Sequence, residues 1–514
     1  MDNKQRTMNN HSPEKNGVKR DDNQLILDRV QKLTNLREAT GNAYPNHHRP
    51  SGRATEIILQ FGNLEKTEIE KQEISLSLAG RVILKRNQGK TTFIVLKDST
   101  GKLQLYLNRE ILGEDRYNFV KQIDLGDQIY CNGTLFKTMR GELTLSCIEV
   151  EMLAKSIRPL PEKFHGLQDP DLRYRNRHID LIANDEVKDV FLKRSKLLQI
   201  IRGFMNKQNF LEVETPMLHP IPGGATARPF VTKHNALDQD MYLRVAPELY
   251  LKRLIVGGFE RVFELNRSFR NEGISVRHNP EFTMLEFYAA YQDYHWLMTY
   301  TENLLRNLCL EILGKDSLIW DEKEINFAGP FEKISYEDAL RKHVKDFNGT
   351  ESLKREKLVE VIEKHGLSGK VNCDSTSTDV LTVFLFEAIV ESKLVQPTFI
   401  TDHPVEISPL ARESNKNPGK AERFELYIGG KEIANGFSEL NDPQEQSKRL
   451  LIQAQKKKDG DKEAMYFDED YIKVLETGMP PTAGCGIGID RLLMAFTNSH
   501  SIREVIFFPA LKEK

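Results

Sequence analysis

A chain of 514 residues is too long for a single core, so two or more domains are expected. With 39% hydrophobic and 29% charged residues and a net charge of −2, no global positive field draws in nucleic acid, and an RNA partner has to be held by local patches. The five cysteines are scattered without a Cys-x-x-Cys pair, which argues against a zinc site or a disulfide framework, and no apolar run is long enough to span a bilayer; a cytoplasmic protein with neither membrane nor DNA among its partners is expected.

Residues 1–22 are polar, charged and without Phe, Tyr or Trp, as in a disordered tail. An N-terminal helical extension follows over 23–72. Its Leu25, Val30, Leu33 and Leu36 recur at helical spacing, predicting a helix over Asn23–Glu38 that stops before Gly41 and Pro45. Arg29, Lys32 and Arg37 on it are candidates for RNA phosphates, although exposed helix charges usually meet only water. Between 73 and 155 five strand-like runs occur, Leu78–Lys85, Thr91–Lys97, Lys102–Leu107, Gln128–Phe136 and Leu143–Glu151, with a helical stretch Glu110–Gln122 after the third. That order predicts an OB-fold barrel, which binds single-stranded nucleic acid on one sheet face. The candidates there are Arg81, Phe93, Gln104 and Glu142; periodicity alone leaves Phe93 equally suited to the core.

Pro159, Pro161, Gly166 and Pro170 mark a linker over 156–178, whose arginine-dense run Arg173–Arg177 suits RNA or a partner subunit. The remainder, 179–514, reads as one large α+β domain with a largely antiparallel sheet flanked by helices at Asp185–Asn206, Tyr294–Leu313, Asp379–Ser392 and Asp442–Lys458. It carries no G-x-x-x-x-G-K-[ST] loop and no G-x-G-x-x-G unit, so the common nucleotide fingerprints are missing.

Three blocks in this domain carry chemistry. Two strand-like runs, Glu260–Phe269 and Phe282–Tyr288, flank Arg270-Asn271-Glu272-Gly273 and Arg277-His278-Asn279-Pro280-Glu281. Alternation puts Glu264, Asn266, Ser268 and Arg270 on one face and Phe263, Leu265 and Phe269 on the other. On the second strand Phe282, Met284, Glu286 and Tyr288 share a face, with Leu285 and Phe287 opposite. Such a polar face suits a ligand wall better than open solvent. Next, Gly429-Gly430 reads as a tight hairpin turn that pairs Tyr427 with Glu432. Glu425 and Glu432 then become diagonal neighbours about 7–8 Å apart at the backbone. Two carboxylates so placed repel, and a hard cation such as Mg²⁺ relieves them. Last, Gly484, Gly486 and Gly488 leave room for close packing before Arg491, in the first turn of a helix whose free N–H groups favour anions.

The string R-N-E-G-x3-R-H-N-P-E-F and the glycine-rich block before Arg491 resemble motifs 2 and 3 of the class II aminoacyl-tRNA synthetases. The run Phe204–Leu218, ending in Glu212-Val213-Glu214-Thr215-Pro216, resembles motif 1. With Ile221–Phe230, Ala246–Leu251 and the barrel, the likeness extends from about Asn23 to the C-terminus and is to the lysine-activating members of subclass IIb. It implies that L-lysine attacks the α-phosphorus of ATP, giving lysyl-adenylate and pyrophosphate, and that lysine then passes to the 3′-terminal ribose of tRNA(Lys). Charge grows on crowded oxygens in that reaction, so positioned arginines are the natural catalysts. The resemblance places Arg270 and Arg491 in that role, and implies ATP contacts from Arg270, Glu272, Arg277, His278, Asn279, Phe282, Glu425 and Arg491. It makes Glu425 and Glu432 the magnesium ligands. It implies a lysine site of Gly224, Glu248, Arg270, Glu286, Tyr288, Asn435, Phe437 and Glu439, and a homodimer through the motif 1 region. Cys485 departs from the bulkier apolar residue usual in motif 3, a packing change.

A buried side-chain ammonium must be paired, so the pocket needs a carboxylate at its far end, and Glu439 with Tyr288 is the candidate; Glu248 and the Gly224 backbone would take the α-ammonium. An aspartate pocket would need a cation there, which Glu439 makes unwelcome. Asn435 and Glu439 face the substrate only if a bend or bulge near Gly436 breaks the alternation from Glu432. Spacing does not separate lysine from ornithine. The rivals are an aspartyl or asparaginyl enzyme of the same subclass, a protein-lysylating paralogue lacking the barrel, and a non-catalytic RNA-binding module.

Overall fold

A computed structural model describes residues 19–161, 167–347 and 354–513. The chain forms two compact units, Met1–Leu167 and Gln168–Lys514. Most of the tail expected over 1–22 lies outside the described residues; the first helix begins within it and runs Lys19–Thr40.

In the first unit, strands β1 (Ser75–Gln88), β2 (Thr91–Lys97), β3 (Lys102–Asn108), β4 (Gln128–Lys137) and β5 (Leu143–Ala154) close a barrel in the order β1-β2-β3-β5-β4. All pairs are antiparallel except β3 with β5. Alternation drives closure: Leu103, Leu105 and Leu107 point inward to Ile94, Ile129 and Leu145, and Gln104 and Tyr106 point out. The expected inserted helix is two, Arg109–Leu112 and Glu114–Gln122, broken at Gly113, whose φ of +79° suits only glycine well. The first helix packs on this unit through Leu33 and Leu36. Its basic residues have protein partners: Arg29 donates to the Ser156 carbonyl at 2.7 Å, Lys32 pairs with Asp124 at 2.7 Å, and Arg37 lies over the Tyr44 ring. The phosphate-binding expectation for these three gives way to structural pairing.

In the second unit, an eight-stranded sheet holds β6 (Leu211–Glu212), β7 (Arg261–Phe269), β8 (Glu281–Ala290), β9 (Glu332–Ser335), β10 (Thr398–Thr401), β11 (Arg423–Ile428), β12 (Lys431–Ser438) and β13 (Thr482–Gly488) in the order β9-β10-β11-β12-β13-β8-β7-β6. Only the β6–β7 and β9–β10 pairs are parallel. One sheet face carries Phe263, Leu285, Phe287, Phe424 and Ile487 into a core closed by helices Tyr294–Leu313 and Ile489–Thr497. Full burial of a side chain such as Phe287 contributes about 1.5–3 kcal/mol. The helix Tyr294–Leu313 is started by Asp293, whose carboxylate accepts from the Trp296 amide at 2.9 Å, and stopped by Gly314 in the left-handed region. Cys485 fills core space beside Thr301.

Residues within 156–178 are ordered onto the second unit from Pro170, as helices Pro170–Arg175 and Arg177–Ala183. The arginine run there has structural partners. Arg173 and Arg177 bind Asp180, and Arg177, buried, also donates to the carbonyls of Arg503, Ile506 and Phe507. Arg175 pairs with Asp171. Sequence patterning missed the helices Glu248–Val256 and Arg355–Lys364, and a small three-stranded sheet over Leu218–Leu243.

Candidate active site

The face of the sheet opposite the core lines an open cavity of about 380 Å³, bounded by β8, β11, β12 and β13, the loop 270–280 and the start of helix Ile489–Thr497. It brings together Gly224, Glu248, Arg270, Glu272, Arg277, His278, Asn279, Phe282, Glu286, Tyr288, Glu425, Glu432, Asn435, Phe437 and Arg491, drawn from segments up to 267 residues apart (491 − 224). Along β8, Phe282, Met284, Glu286 and Tyr288 all line it, as alternation requires. No residue of β7 does so; Arg270, one past its end, is the first of that segment on the wall. Glu264, Asn266 and Ser268 are buried instead in a polar network, where Glu264 accepts from Arg244 and Thr215, both at 2.7 Å. The expectation that these three share a ligand wall is corrected by that cover.

Arg270 is free of protein ion pairs among the described residues. Its Nε is buried without a hydrogen-bond partner, and its guanidinium lies 5.2 Å from the Phe282 ring centre. With that nitrogen buried and no protein carboxylate paired with it among the described residues, Arg270 is poised for an anion. Arg491 donates to the Glu432 carbonyl at 2.9 Å and its carboxylate at 3.3 Å, with His278 Nε2 3.5 Å away. Its helix is locked to β8 by Asp490, which accepts from the Thr283 amide at 2.7 Å and from Arg194. Burial and then the Arg491 charge lower the His278 proton affinity, keeping the imidazole neutral. Arg277 reaches Glu391 at 3.4 Å. The Asn279 amide is already engaged, donating to the Glu281 carbonyl and accepting from the Ala510 amide, so its side chain ties the loop to the C-terminal segment.

The turn pairs Ile428 with Lys431 and Tyr427 with Glu432, the expected register. Leu426 then pairs with Ala434, leaving Ile433 unpaired as a bulge. The break in alternation therefore falls at Ile433, three residues before Gly436. It sets Asn435, cross-strand partner of Glu425, on the cavity side together with Glu432. Glu425 accepts from Arg423 and from the Tyr427 hydroxyl, both at 2.7 Å, and the Asn435 carbonyl oxygen accepts from Arg423 at 3.0 Å, leaving its amide N–H groups to donate. The protein packed around it and then the Glu425 charge raise the proton affinity of Glu432. These carboxylates repel one another, and this is the electrostatic setting a divalent cation relieves.

Deeper in, Glu439 does not line the cavity. It lies behind Gly484, where an added Cβ would overlap its Oε1 and the Tyr288 ring. Sequence reasoning also missed Lys252, fully buried, which pairs with Glu248 at 2.5 Å and with Glu439. A cation thus does stand beside Glu439, contrary to expectation. Pro247 opens the helix Glu248–Val256, and the i,i+4 spacing of Glu248 and Lys252 was the available signal. Arg423, two residues before Glu425 on the same face, was missed too. Burial opposes the Lys252 charge, but Glu248 and Glu439 outweigh it and hold the ammonium protonated. Burial, then Glu248 and Glu264, push Glu286 up to about 8, and its Oε2 accepts from Tyr288 at 3.4 Å.

On the barrel, Phe93 is half-buried outside the core, 5.3 Å from Tyr106, which lies 5.6 Å from Phe136. Gln104 shares this outer face and donates to Thr144 at 3.0 Å, and Glu142 is exposed. Arg81 is set apart: it pairs with Lys97 while Phe93 pairs with Arg86, and its guanidinium donates to the Gly126 carbonyl at 2.7 Å.

Two family models match the chain, tRNA synthetases class II (D, K and N) over residues 169–512 and an OB-fold nucleic acid binding domain over residues 76–160. The chain belongs to the class II tRNA synthetases of the D, K and N group, with an OB-fold domain on its N-terminal side. Within that class it is similar to the lysine–tRNA ligase of Paraburkholderia phymatum, 49% identical over 99% of each chain. It is also similar to those of Burkholderia cenocepacia, 50% identical over 97% of this chain and 98% of the relative, and of Azoarcus sp. (strain BH72), 51% over 96% and 97%.

Proposed function

We propose that this chain is a lysine–tRNA ligase, joining L-lysine to tRNA(Lys) at the expense of ATP. The observation that carries the choice of lysine is the charge inventory of the pocket. Glu248, Glu286 and Glu439 are three buried carboxyl groups against the one ammonium of Lys252, and the two ammonium groups of lysine supply the positive charge that favours their ionised forms. Lys252, held by two carboxylates and absent from the cavity wall, is poorly placed to receive the side-chain carboxylate of aspartate.

In this reading Arg270 grips the lysine carboxylate and the α-phosphate together, with the Asn435 amide on the carboxylate. Holding nucleophile and phosphorus together, the site gains most of its rate from positioning and preorganised charge. Phe282 offers its face to adenine and Glu272 its carboxylate to the nucleoside. Arg491, Arg277 and the neutral His278 line the phosphate end, where the leaving pyrophosphate collects charge. Glu425 and Glu432 fit Mg²⁺ by their oxygen donors and mutual repulsion; bound there, the ion would neutralise phosphate charge. Glu248 and the Gly224 backbone take the α-ammonium, and Tyr288, Glu286 and Glu439 with Phe437 enclose the ε-ammonium. The outer barrel face at Phe93, Gln104 and Glu142 stacks and hydrogen-bonds anticodon bases, with Tyr106 and Phe136 extending the aromatic row; Arg81 acts from further along β1. A homodimer through the motif 1 region is supported by the exposed apolar side chains of Leu211, Met217 and Leu218 around the edge strand β6. The site of action is the cytoplasm; among the described residues no helix is long and apolar enough to cross a membrane.

Pyrophosphate exchange with lysine, aspartate and asparagine tests the reading. Exchange driven by lysine is expected; exchange driven by aspartate or asparagine alone would overturn it.

A further inference from the structure

Lys252 has no place in the chemistry just described, yet it is the one lysine of helix Glu248–Val256 and its side chain is fully buried. Its Nζ takes Glu248 through Oε1 and Glu439 through Oε2, with the Phe437 ring centre 5.5 Å away. Glu248 and Phe437 line the cavity, and Glu439 lies directly behind its Gly484 wall. Glu439 is thereby divided between two tasks. Oε2 is in ion-pair contact with Lys252 and Oε1 lies toward Gly484 of the cavity wall, and both oxygens are buried without a hydrogen-bond partner. A buried acceptor left unpaired costs stability and is retained where a ligand completes it.

We propose that Lys252 is a positioning residue that sets the length of diamino acid the pocket accepts, by tethering the acceptor of the α-ammonium to the acceptor of the ε-ammonium. The inference rests on the ligase reading above and deepens it. Because one ammonium pairs with both carboxylates, their separation is set by the protein before substrate arrives. A ligand whose own ammonium groups stand five carbons apart reaches both; ornithine, with four, leaves one carboxylate short of its partner. Without the tether, Glu248 and Glu439 repel and lose their common reference point, and the pocket adapts to either length. Loss of one methylene from a well-fitted substrate costs about 10–200-fold in selectivity, the range within which the tether has to act.

The test measures pyrophosphate exchange with lysine and ornithine in the full-length protein and its Lys252→Met and Lys252→Arg variants, with melting temperature and the KM for ATP as controls. Methionine keeps the length and loses the charge; arginine keeps the charge and moves it. In Lys252→Met, the KM for lysine is expected to rise about tenfold with kcat changing less, the KM for ATP to stay within about twofold, and the lysine-to-ornithine ratio of kcat/KM to fall about tenfold. Lys252→Arg should recover part of the KM for lysine but not the full ratio. A folded Lys252→Met protein that loses lysine and ornithine activity in equal proportion, or loses none, overturns the proposal, because a merely stabilising ion pair predicts that result. If Lys252→Met does not fold, Lys252→Arg decides alone, and an unchanged ratio overturns the proposal. Failure of the unaltered protein to activate lysine would instead remove the ligase reading, and this inference with it.

Discussion

Single residues set what the cavity can hold. Arg270 is buried at one atom, unpaired by protein charge and beside Phe282, so its loss removes binding made to carboxylate and phosphate at once. Arg270→Ala is expected to lower adenylate formation by at least about 10²–10³-fold in pyrophosphate exchange while tRNA binding in a filter assay stays intact. Gly484 marks the other end. A methyl group there meets Glu439 and Tyr288, so Gly484→Ala should raise the KM for lysine more than that for ATP, and equal rises would contradict this account. Glu286 titrates near 8 in the fold against an ordinary value of 4.5. The folded state therefore binds the proton more tightly, and the stability this group supports is full below about pH 4.5 and declines as pH rises through 8. Relative to the unaltered protein, the melting temperature of Glu286→Gln should gain between pH 5.5 and 8; a difference independent of pH would refute the assignment. These charges were readable as residue types, but the unpaired state of Arg270 and the division of Glu439 were not. Both depend on partners far away in the chain.

At the scale of the element, strand alternation did most of the work. Phe282, Met284, Glu286 and Tyr288 line the cavity and Leu285 and Phe287 enter the core because a pleated strand sends neighbours to opposite faces. The same rule misplaced Glu264, Asn266 and Ser268, since it names a face without saying what covers it; Arg244, from just past the strand Gln239–Leu243, does. On β12 the rule required an interruption, and Ile433 supplies it. Inserting one alanine between Ala434 and Asn435 cancels the offset that the bulge provides and turns Asn435 away from Glu432. That variant is expected to keep its circular dichroism spectrum and to lose about 10²-fold or more in lysine-dependent exchange. Activity near the unaltered level would show that the bulge has no part in placing the site. The helix Glu248–Val256 escaped detection because its nine residues are short for a periodic signal and two of its charges, Glu248 and Lys252, are buried.

For the whole molecule, one barrel and one large sheet divide recognition between two units of different construction. The barrel's outer row of Phe93, Tyr106 and Phe136 is half-buried, as stacking platforms are. The edge strand β6 leaves Leu211 about half exposed with Met217 and Leu218 nearby, more apolar surface than one strand edge tolerates alone. Sedimentation at micromolar concentration should find a dimer, and Met217→Asp should shift it toward monomer; a monomer for the unaltered chain would remove the proposed interface. The sequence by itself determined the barrel, the antiparallel frame and the family, because these follow from local periodicity and from motifs contiguous along the chain. Tertiary structure alone decided that Lys252 ties Glu248 to Glu439, that Arg29 and Arg177 serve packing, and that Arg270 stays unpaired. A charge is assigned by whichever partner the folded chain delivers within about 4 Å, and no local pattern records that distance.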